Sequence, residues 1–246
     1  MEQTAATVEK AMDLLFHLHE SNAAVGVSAL GRALDMPKSS VHRLLSALAR
    51  KGMVERDERS RYRPGSGLLA LGLGVLDRDP LVACARAVLP DFVDETGETL
   101  FLIGHRGSRL VVLEKCEGTG LLRVSPRVGS TVPVHCTGAG ALYMAYRQHE
   151  FAPERVATDP GAHADVAYLR ARAAAALSQG WSSNIELWQP GLAVLVAPIV
   201  LRRELRAVVA LAATTHRMTE LGGEALAPRV VAAADAIAAR ASGGGA

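Results

Sequence analysis

The stretch that decides the fold runs Val27-Ser28-Ala29-Leu30-Gly31-Arg32-Ala33-Leu34, then Met36-Pro37, then a longer segment from Ser39 to Gly52. The first piece predicts a short helix, the Met-Pro pair a tight turn, and the last piece a second helix. Apolar residues of the second helix recur at positions i, i+3, i+4 and i+7, as on one buried face: Val41, Leu44, Leu45 and Leu48. The sequence therefore predicts two helices joined by a tight turn.

The opposite face of the second helix is polar and has no acidic residue. It carries side chains that can bond to phosphates or base edges, namely Ser39, His42, Arg43, Ser46 and Arg50. Lys38 stands just before the first turn and Ser40 within it, where open N–H groups and the helix dipole favour a phosphate. Such a face is usually only a solvated surface, so it does not identify a partner by itself.

A basic hairpin follows the second helix. Lys51-Gly52-Met53 indicates a helix stop, and 54–57 and 61–63 are predicted strands. Between Lys38 and Arg63 there are eight Lys and Arg against three acids, an excess of +5 in a chain whose net charge is +2. Together these features predict a winged helix-turn-helix that binds double-stranded DNA, with Arg59 and Arg61 of the wing contacting the backbone.

The chain is long enough for a second domain. Its 246 residues are more than one winged helix-turn-helix domain needs, and this length is typical of two domains. A first helix is predicted from Thr4 to Glu20, and a Leu- and Gly-rich helical connector at 67–76 precedes a new helix at Pro80. The apolar face of this first helix would consist of Val8, Met12, Leu15 and Leu18. We expect this face to pack on the helix-turn-helix or to support dimerisation. We expect a DNA-binding domain over 1–65, a linker helix over 66–80 and a second domain over 81–246.

The pattern changes from helical to strand periodicity in the second domain. Residues 99–105 and 110–115 are predicted strands joined by Arg106-Gly107-Ser108-Arg109, a hairpin signal. Further strands are predicted at 121–125, 192–201 and 206–214, and helices at 138–148, 165–179 and 223–239. Hairpins instead of repeated βαβ units predict an α+β fold with a largely antiparallel sheet, which can hold a small-molecule pocket.

Composition excludes several classes. No apolar run reaches membrane-spanning length and the N-terminus lacks a signal-peptide profile, so we expect a cytoplasmic protein without membrane contact. Few aromatics argue against a base-stacking single-strand binder. Cys84, Cys116 and Cys136 form no CxxC pair, so they are expected to be small buried residues and not disulfide or zinc ligands. The histidines show no ligand spacing, and we expect no metal and no cofactor.

Five motifs occur in an order typical of one family: LDMPKSSVHRLL at 34–45, TGET at 96–99, VGSTVPVHCTGAG at 128–140, GWS at 180–182 and VAPI at 196–199. In these motifs the whole chain resembles the IclR family of bacterial transcriptional regulators. The resemblance implies a winged-helix DNA-binding domain, a linker helix and a GAF-like effector domain that binds a small molecule. It also implies dimers that read pseudo-palindromic operators and often form tetramers.

The chain departs from the family at the expected effector pocket. Relatives that bind small oxoacids have an Asp, a Cys and two Ser at positions that align with Asn184, Val194, Leu211 and Ala213. Because these side chains would leave a buried carboxylate unpaired, we expect an aromatic or otherwise hydrophobic effector with one polar end. Gly138 and Ala139 match the loop whose backbone amides meet the ligand, and Val124 and Val134 complete the candidate effector-binding set.

Three alternatives stay open at this level. Gly138 and Gly140 could serve only to let the chain enter a helix tightly, without any ligand. His135, Cys136 and Thr137 could suggest an enzyme, but adjacent loop residues rarely form a nucleophile–base pair, so we expect no catalytic residue. The chain could also be a constitutive DNA-binding regulator whose second domain serves only oligomerisation. The sequence does not name the effector, the operator or the sign of regulation.

Overall fold

The structure, a computed structural model, describes residues 2–21, 23–120, 126–159, 161–162 and 164–243, with side chains from residue 6 onward. It divides into two compact units, Met1–Arg78 and Asp79–Ala246. No helix in the described part of the chain is long and apolar enough to cross a bilayer. Each unit has its own core of apolar side chains.

The N-terminal unit is a group of helices closed by a two-stranded hairpin. Its elements are α1 (Glu2–Glu20), α2 (Val27–Ala33), α3 (Lys38–Arg50), β1 (Val54–Arg56), β2 (Tyr62–Pro64) and α4 (Ser66–Leu76). Leu14, Leu30 and Leu45 are fully buried at its centre. The two strands pair antiparallel behind the helices, as the winged helix-turn-helix prediction requires.

The turn between α2 and α3 depends on Gly31. The Met36 N–H donates to the Gly31 carbonyl at 2.8 Å, and a Cβ on Gly31 would lie 2.8 Å from the Met36 oxygen. Asp35 takes a left-handed conformation with φ 48°, which aspartate tolerates better than most residues. These two residues let the chain reverse before Pro37, which immediately precedes α3.

Helix α1 buries only part of the predicted stripe. Leu15 and Leu18 are buried together with Leu14, whereas Val8 and Met12 are 59% and 43% exposed. The reason is that only side chains from the second half of α1 belong to the described core cluster of this unit. The first half of α1 therefore keeps an apolar surface that the rest of its unit does not cover.

The C-terminal unit is built on one antiparallel sheet. Its elements are α5 (Pro80–Thr96), β3 (Thr99–Arg106), β4 (Arg109–Cys116), β5 (Thr131–Val132), α6 (Gly138–Tyr146), α7 (Pro153–Val156), α8 (Val166–Gln179), β6 (Ser182–Ile185), β7 (Leu192–Leu201), β8 (Glu204–Thr214), α9 (Thr215–Glu220) and α10 (Ala227–Gly243), with a short 3₁₀ turn at Gly223–Leu226. The six strands lie in the order β5-β4-β3-β8-β7-β6, and every pair is antiparallel. The predicted α+β class with an antiparallel sheet is confirmed.

Helices lie on both faces of this sheet. One face forms a core cluster with α6 and α8, and Phe101, Val196 and Ala210 belong to it. Helices α5 and α10 contact each other and the same strands, but their buried residues lie outside that cluster, so they cover the opposite face. Burial on both faces explains why β7 and β8 are almost continuously apolar.

Some predicted bounds were wrong. Helix α3 runs from Lys38 to Arg50 and the last helix begins at Ala227 instead of Gly223. Four short elements were missed, namely β5, β6, α7 and α9, because two to six residues of mixed polarity give no clear period. The predicted strand at 121–125, with the candidate residue Val124, lies outside the described residues.

Candidate functional sites

The polar face of α3 is open to solvent. Its buried side is Val41 and Leu45, as the spacing predicts. On the other side Ser39, His42, Arg43 and Arg50 are exposed, while Ser40 and Ser46 are half-buried. The Ser46 hydroxyl donates to the His42 carbonyl at 2.8 Å, which leaves its lone pairs as acceptors. Within the described residues, none of these basic side chains is held in an ion pair.

The N-terminus of α3 is also open. Among the described side chains none caps it, and Pro37 supplies no N–H there. The Ser40 N–H donates to the Pro37 carbonyl at 2.9 Å, so the open first-turn amides are those of Lys38 and Ser39, beside the exposed Lys38 side chain. Two open amides and a lysine at a helix start are a general anion-binding arrangement.

The wing holds Arg61 in an internal contact. Asp57 accepts from the Arg61 main-chain N–H at 2.8 Å and from its Nε at 3.0 Å. Arg61 lowers the pKa of Asp57, chiefly through the hydrogen bond from its main-chain N–H. Two further arginines are engaged within the hairpin, Arg63 with Glu55 and Arg56 with Ser60. Arg59, at the exposed tip, makes no ion pair with any described residue.

A narrow apolar slot lies on the sheet face that packs against α6. It holds about 30 Å³ of space that a water-sized sphere can occupy. Its walls are Phe101, Ile103, Pro126, Val132, Thr137, Ala139, Asn184, Trp188, Leu192, Val194, Val196, Ala210 and Ala212. We call this cavity the slot. It brings together three residues of the predicted effector set, Ala139, Asn184 and Val194.

Asn184 is the main polar residue of the slot. It is only 3% exposed, and its Oδ1 accepts from the Gly138 N–H at 3.2 Å. Its Nδ2 is buried and has no hydrogen-bond partner among the described residues. The other polar wall, Thr137, is satisfied, because its hydroxyl donates to the Pro133 carbonyl at 2.6 Å and accepts from the Gly140 N–H at 3.1 Å. Among its described side chains, the slot therefore offers one unused donor.

The expectation that the Gly138 amide meets the ligand needs correction. That N–H already donates to Asn184, which lies 46 residues further along the chain. The nearby Gly140 amide is likewise taken, by the N-cap hydroxyl of Thr137. The Gly138 and Gly140 amides at the start of α6 are thus both taken by side chains of the same unit.

Two residues of the predicted set lie on the wrong face of the sheet. Val194 pairs directly with Asn184 and with Ala212, so these three side chains share one face. Leu211 and Ala213 pair with Leu195 and Ala193 and therefore point to the opposite face. The alignment was one residue out of register on β8, where Ala210 and Ala212 line the slot.

The glycines of the α6 loop are needed for packing. A Cβ on Gly140 would lie 1.8 Å from the Val134 carbonyl oxygen, and one on Gly138 would lie 3.0 Å from Val196 Cγ2. Val134 itself is buried and belongs to the core cluster, but it does not border the slot. The alternative that a glycine is needed here for tight entry into the helix is therefore correct for Gly140.

The neighbouring loop shows no nucleophile–base arrangement. Burial raises the pKa of the Cys136 thiol, against the opposing effect of Arg172, and a protonated thiol is a poor nucleophile. Thr137 is occupied as a helix cap. All three cysteines are free and half-buried, so the expectation of full burial was wrong. No group of three or more His, Cys, Asp or Glu in the described part of the chain could hold a metal.

Sequence reasoning missed the aromatic walls of the slot, Phe101 and Trp188. The alternation of β3 could have placed Phe101 and Ile103 on one face, once β3 was paired with β8. No sequence signal placed Trp188 there, because it belongs to the connection between β6 and β7 and not to a strand.

Comparison with known proteins agrees with this architecture. The model of the IclR helix-turn-helix domain matches residues 7–58, and that of the bacterial transcriptional regulator IclR C-terminal domain matches residues 73–239. The probable transcriptional regulator SauR of Cupriavidus necator is 29% identical over 221 residues, which are 84% of each chain.

Solved structures have the same fold. A candidate IclR transcriptional regulator from Silicibacter sp. TM1040 superimposes with a TM-score of 0.83 at 28% identity, covering 96% of both chains. An IclR homologue from Microbacterium hydrocarbonoxydans, complexed with 4-hydroxybenzoate, has a TM-score of 0.76 at 20% identity and covers 96% of this chain and 99% of its own, which shows the fold alone.

Both family models together extend over most of the chain and match its two units in order. The proteins that they describe are transcriptional regulators and not enzymes. The chain belongs to the IclR family of bacterial transcriptional regulators and carries that family's helix-turn-helix DNA-binding domain.

Proposed function

We propose that this protein is a sequence-specific DNA-binding regulator whose operator binding is modulated by a small molecule held in the slot. The observation that carries the DNA-binding half is the exposed face of α3, where Arg43 and Arg50 have no acidic neighbour on the helix and no ion pair within the described residues. A surface of unpaired donors on a helix of groove-filling width suits the major groove of double-stranded DNA.

We assign different roles to the basic residues. Ser39, His42, Arg43, Ser46 and Arg50 would face base edges and flanking phosphates along the groove. Lys38 and Ser40 would hold a phosphate at the helix start. In the wing we assign the main backbone contact to Arg59, because Arg61 is held by Asp57 at 3.0 Å. Arg61 contributes to the DNA contact only where it leaves or shares that ion pair.

We further propose that the working form is at least a dimer. Helix α4 is apolar along its length and none of its residues is buried, with Leu69, Leu71, Leu73 and Val75 each about half exposed or more. A helix that is apolar all round normally lies inside a core or an interface. We assign a second copy of the chain as the cover, since two winged helices also supply the contacts of a pseudo-palindromic operator.

The effector proposed for the slot has an apolar body and one polar end. Apart from Asn184 and the satisfied Thr137, the described wall residues are apolar or aromatic, so a small dicarboxylate would lose its hydration without gaining partners among them. The relative that carries 4-hydroxybenzoate provides a precedent for an aromatic ligand in this fold. We therefore propose an aromatic or similarly hydrophobic effector.

A second candidate function is constitutive DNA binding without an effector. The observation that favours it is the size of the slot, because about 30 Å³ has room for water but not for a ring. In that case the C-terminal unit would serve only oligomerisation and the slot would be an ordinary packing defect.

Two measurements on the full chain separate these functions. Fluorescence anisotropy with DNA from upstream of its own gene should show binding at least about 10³-fold tighter than to unrelated DNA. A thermal-shift screen of aromatic and aliphatic metabolites should then find compounds that raise Tm and change the anisotropy. Specific DNA binding that no Tm-raising compound alters would favour the constitutive function, and equal binding to unrelated DNA would refute both.

A further inference from the structure

The indole of Trp188 stands between two cavities. It lines the slot, and it also lines an open cleft of about 550 Å³ whose other walls are Ser108, Arg109, Thr131, Val132, Pro133, Val134, His135 and Asp159. We call this second cavity the outer cleft. Among the described residues Val132 is the other side chain that borders both cavities, so Val132 and Trp188 form the partition between them.

The two halves of this partition differ in how firmly they are held. Val132 is 6% exposed and pairs with Leu110 inside the sheet. Trp188 is half-buried and lies in the six-residue connection from Glu186 to Gly191. A displacement of Trp188 therefore disturbs no strand pairing, whereas a displacement of Val132 breaks the edge of the sheet.

The base of this connection is fixed while its tip is exposed. The Glu186 N–H donates to the Leu192 carbonyl at 2.8 Å, and the Gly191 N–H donates to the Glu186 carboxylate at 3.0 Å. Leu187, beside the tryptophan, is 48% exposed. The Leu192 N–H also donates to the Gln189 carbonyl at 3.2 Å, so Leu187 and Trp188 lie in a part of the connection without a described main-chain hydrogen bond.

The size of the slot requires such a movement if a ring is to bind. A cavity that accepts benzene has roughly 150 Å³, about five times the volume of the slot. Moving the indole would join the slot to the outer cleft and supply that volume without unfolding the core.

The chemistry of the slot also limits the buried end of the ligand. Among the described side chains, Asn184 Nδ2 is the one buried donor of the slot without a partner, and none of the described wall residues is charged. A carbonyl or phenolic oxygen would satisfy this amide. A carboxylate would keep its charge opposite a single neutral donor, which is costly in an apolar cavity.

From these observations we infer that Trp188 is a movable wall, and that the effector is a compound with a six-membered ring that displaces the indole and presents an uncharged acceptor oxygen to Asn184. The inference rests on the effector cavity proposed above. It assigns the specificity of that cavity to two residues of this chain, Trp188 for size and Asn184 for the polar group. Any charged group of the ligand stays in the outer cleft.

The test uses two probes that share a phenyl ring, acetophenone with a neutral carbonyl and benzoate with a carboxylate. Calorimetry on the full-length protein, without DNA, compares wild type, Trp188→Ala and the control Leu187→Ala from the same connection. If the open position is a minor population of about one in ten, removal of the indole raises the apparent affinity for acetophenone about tenfold. Leu187→Ala should bind it as wild type does, and benzoate should bind at least tenfold more weakly.

A second readout follows the indole itself. The chain has two tryptophans, so 5-fluorotryptophan incorporated into Trp181→Phe reports Trp188 as a single ¹⁹F resonance. Acetophenone should shift that resonance in proportion to the bound fraction. Binding without a shift, an affinity unchanged by Trp188→Ala, equal affinity for benzoate, or no acetophenone binding to any variant would each overturn the inference. These results do not involve DNA, so the proposed regulatory function stands or fails separately in the anisotropy assay.

Discussion

The main-chain N–H of Gly138, at the start of α6, donates to the side-chain oxygen of Asn184 on β6 at 3.2 Å. This bond joins a helix N-terminus to a strand at the edge of the sheet, while the nitrogen of the same amide has no partner among the described residues. One residue thus closes the helix end and supplies the polar group of the slot. The two roles depend on different atoms of the same amide.

Replacing Asn184 by Leu should show how much the Gly138–Asn184 hydrogen bond contributes to the stability of the protein. The change removes the acceptor for the buried Gly138 N–H, and leaving such a donor unsatisfied costs about 1–3 kcal/mol. We therefore expect the free energy of unfolding, measured with urea, to fall by that amount. Ile185→Ala, at the exposed neighbouring position on the same strand, is the control. A stability equal to wild type would mean that the Gly138–Asn184 bond contributes nothing.

Arg43→Ala should weaken operator binding without weakening the fold. Arg43 is exposed on the polar face of α3, so its removal affects the DNA interface alone, by about 1–3 kcal/mol if it reads a base. Anisotropy titrations against the operator measure the first effect and thermal denaturation the second. An unchanged operator affinity would remove Arg43 from the interface.

The wing gives a prediction based on salt dependence. Removing one phosphate-binding side chain reduces the slope of log K against log salt by about one unit. We expect Arg59→Ala to lower the slope by about one, and Arg61→Ala to lower it by less, because Arg61 is already paired with Asp57. Neutralising both should bring the reduction to at most about two units. If the slope of log K against log salt is the same in the double variant as in wild type, the hairpin does not contact DNA.

The helix-turn-helix could be predicted because its signals are local. The spacing of Val41 and Leu45 sets the buried face, and Gly31 marks the tight turn, so both follow from a window of about 25 residues. The slot could not be predicted in the same way. Its walls come from β3, β6, β7 and β8, and a shift of one residue in the alignment of β8 moved Leu211 and Ala213 to the wrong face.

Helix α4 should control assembly. The double substitution Leu69→Glu and Leu73→Glu places two charges one turn apart on a helix whose side chains after Ser66 are all apolar. Because burying each leucine at an interface contributes about 1.5–3 kcal/mol, we expect the dimer to dissociate at micromolar concentration. Light scattering measures the change. Leu177→Glu, at an exposed leucine of α8, is the control and should not alter the mass. A wild-type monomer would refute the assignment of a second copy.

Val194→Asp should abolish the response to effector while sparing DNA binding. Val194 is half-buried, lines the slot and pairs with both Asn184 and Ala212, so an aspartate there sets a carboxylate against the apolar body of any ligand. Ile185→Asp, at the next position from Asn184 on β6 and 56% exposed, adds the same charge outside the slot. We expect calorimetry to show loss of binding for Val194→Asp alone, with operator affinity unchanged in both variants. Tight binding of glyoxylate by wild type, undiminished in Val194→Asp, would mean that the effector is a small polar acid bound elsewhere in the unit.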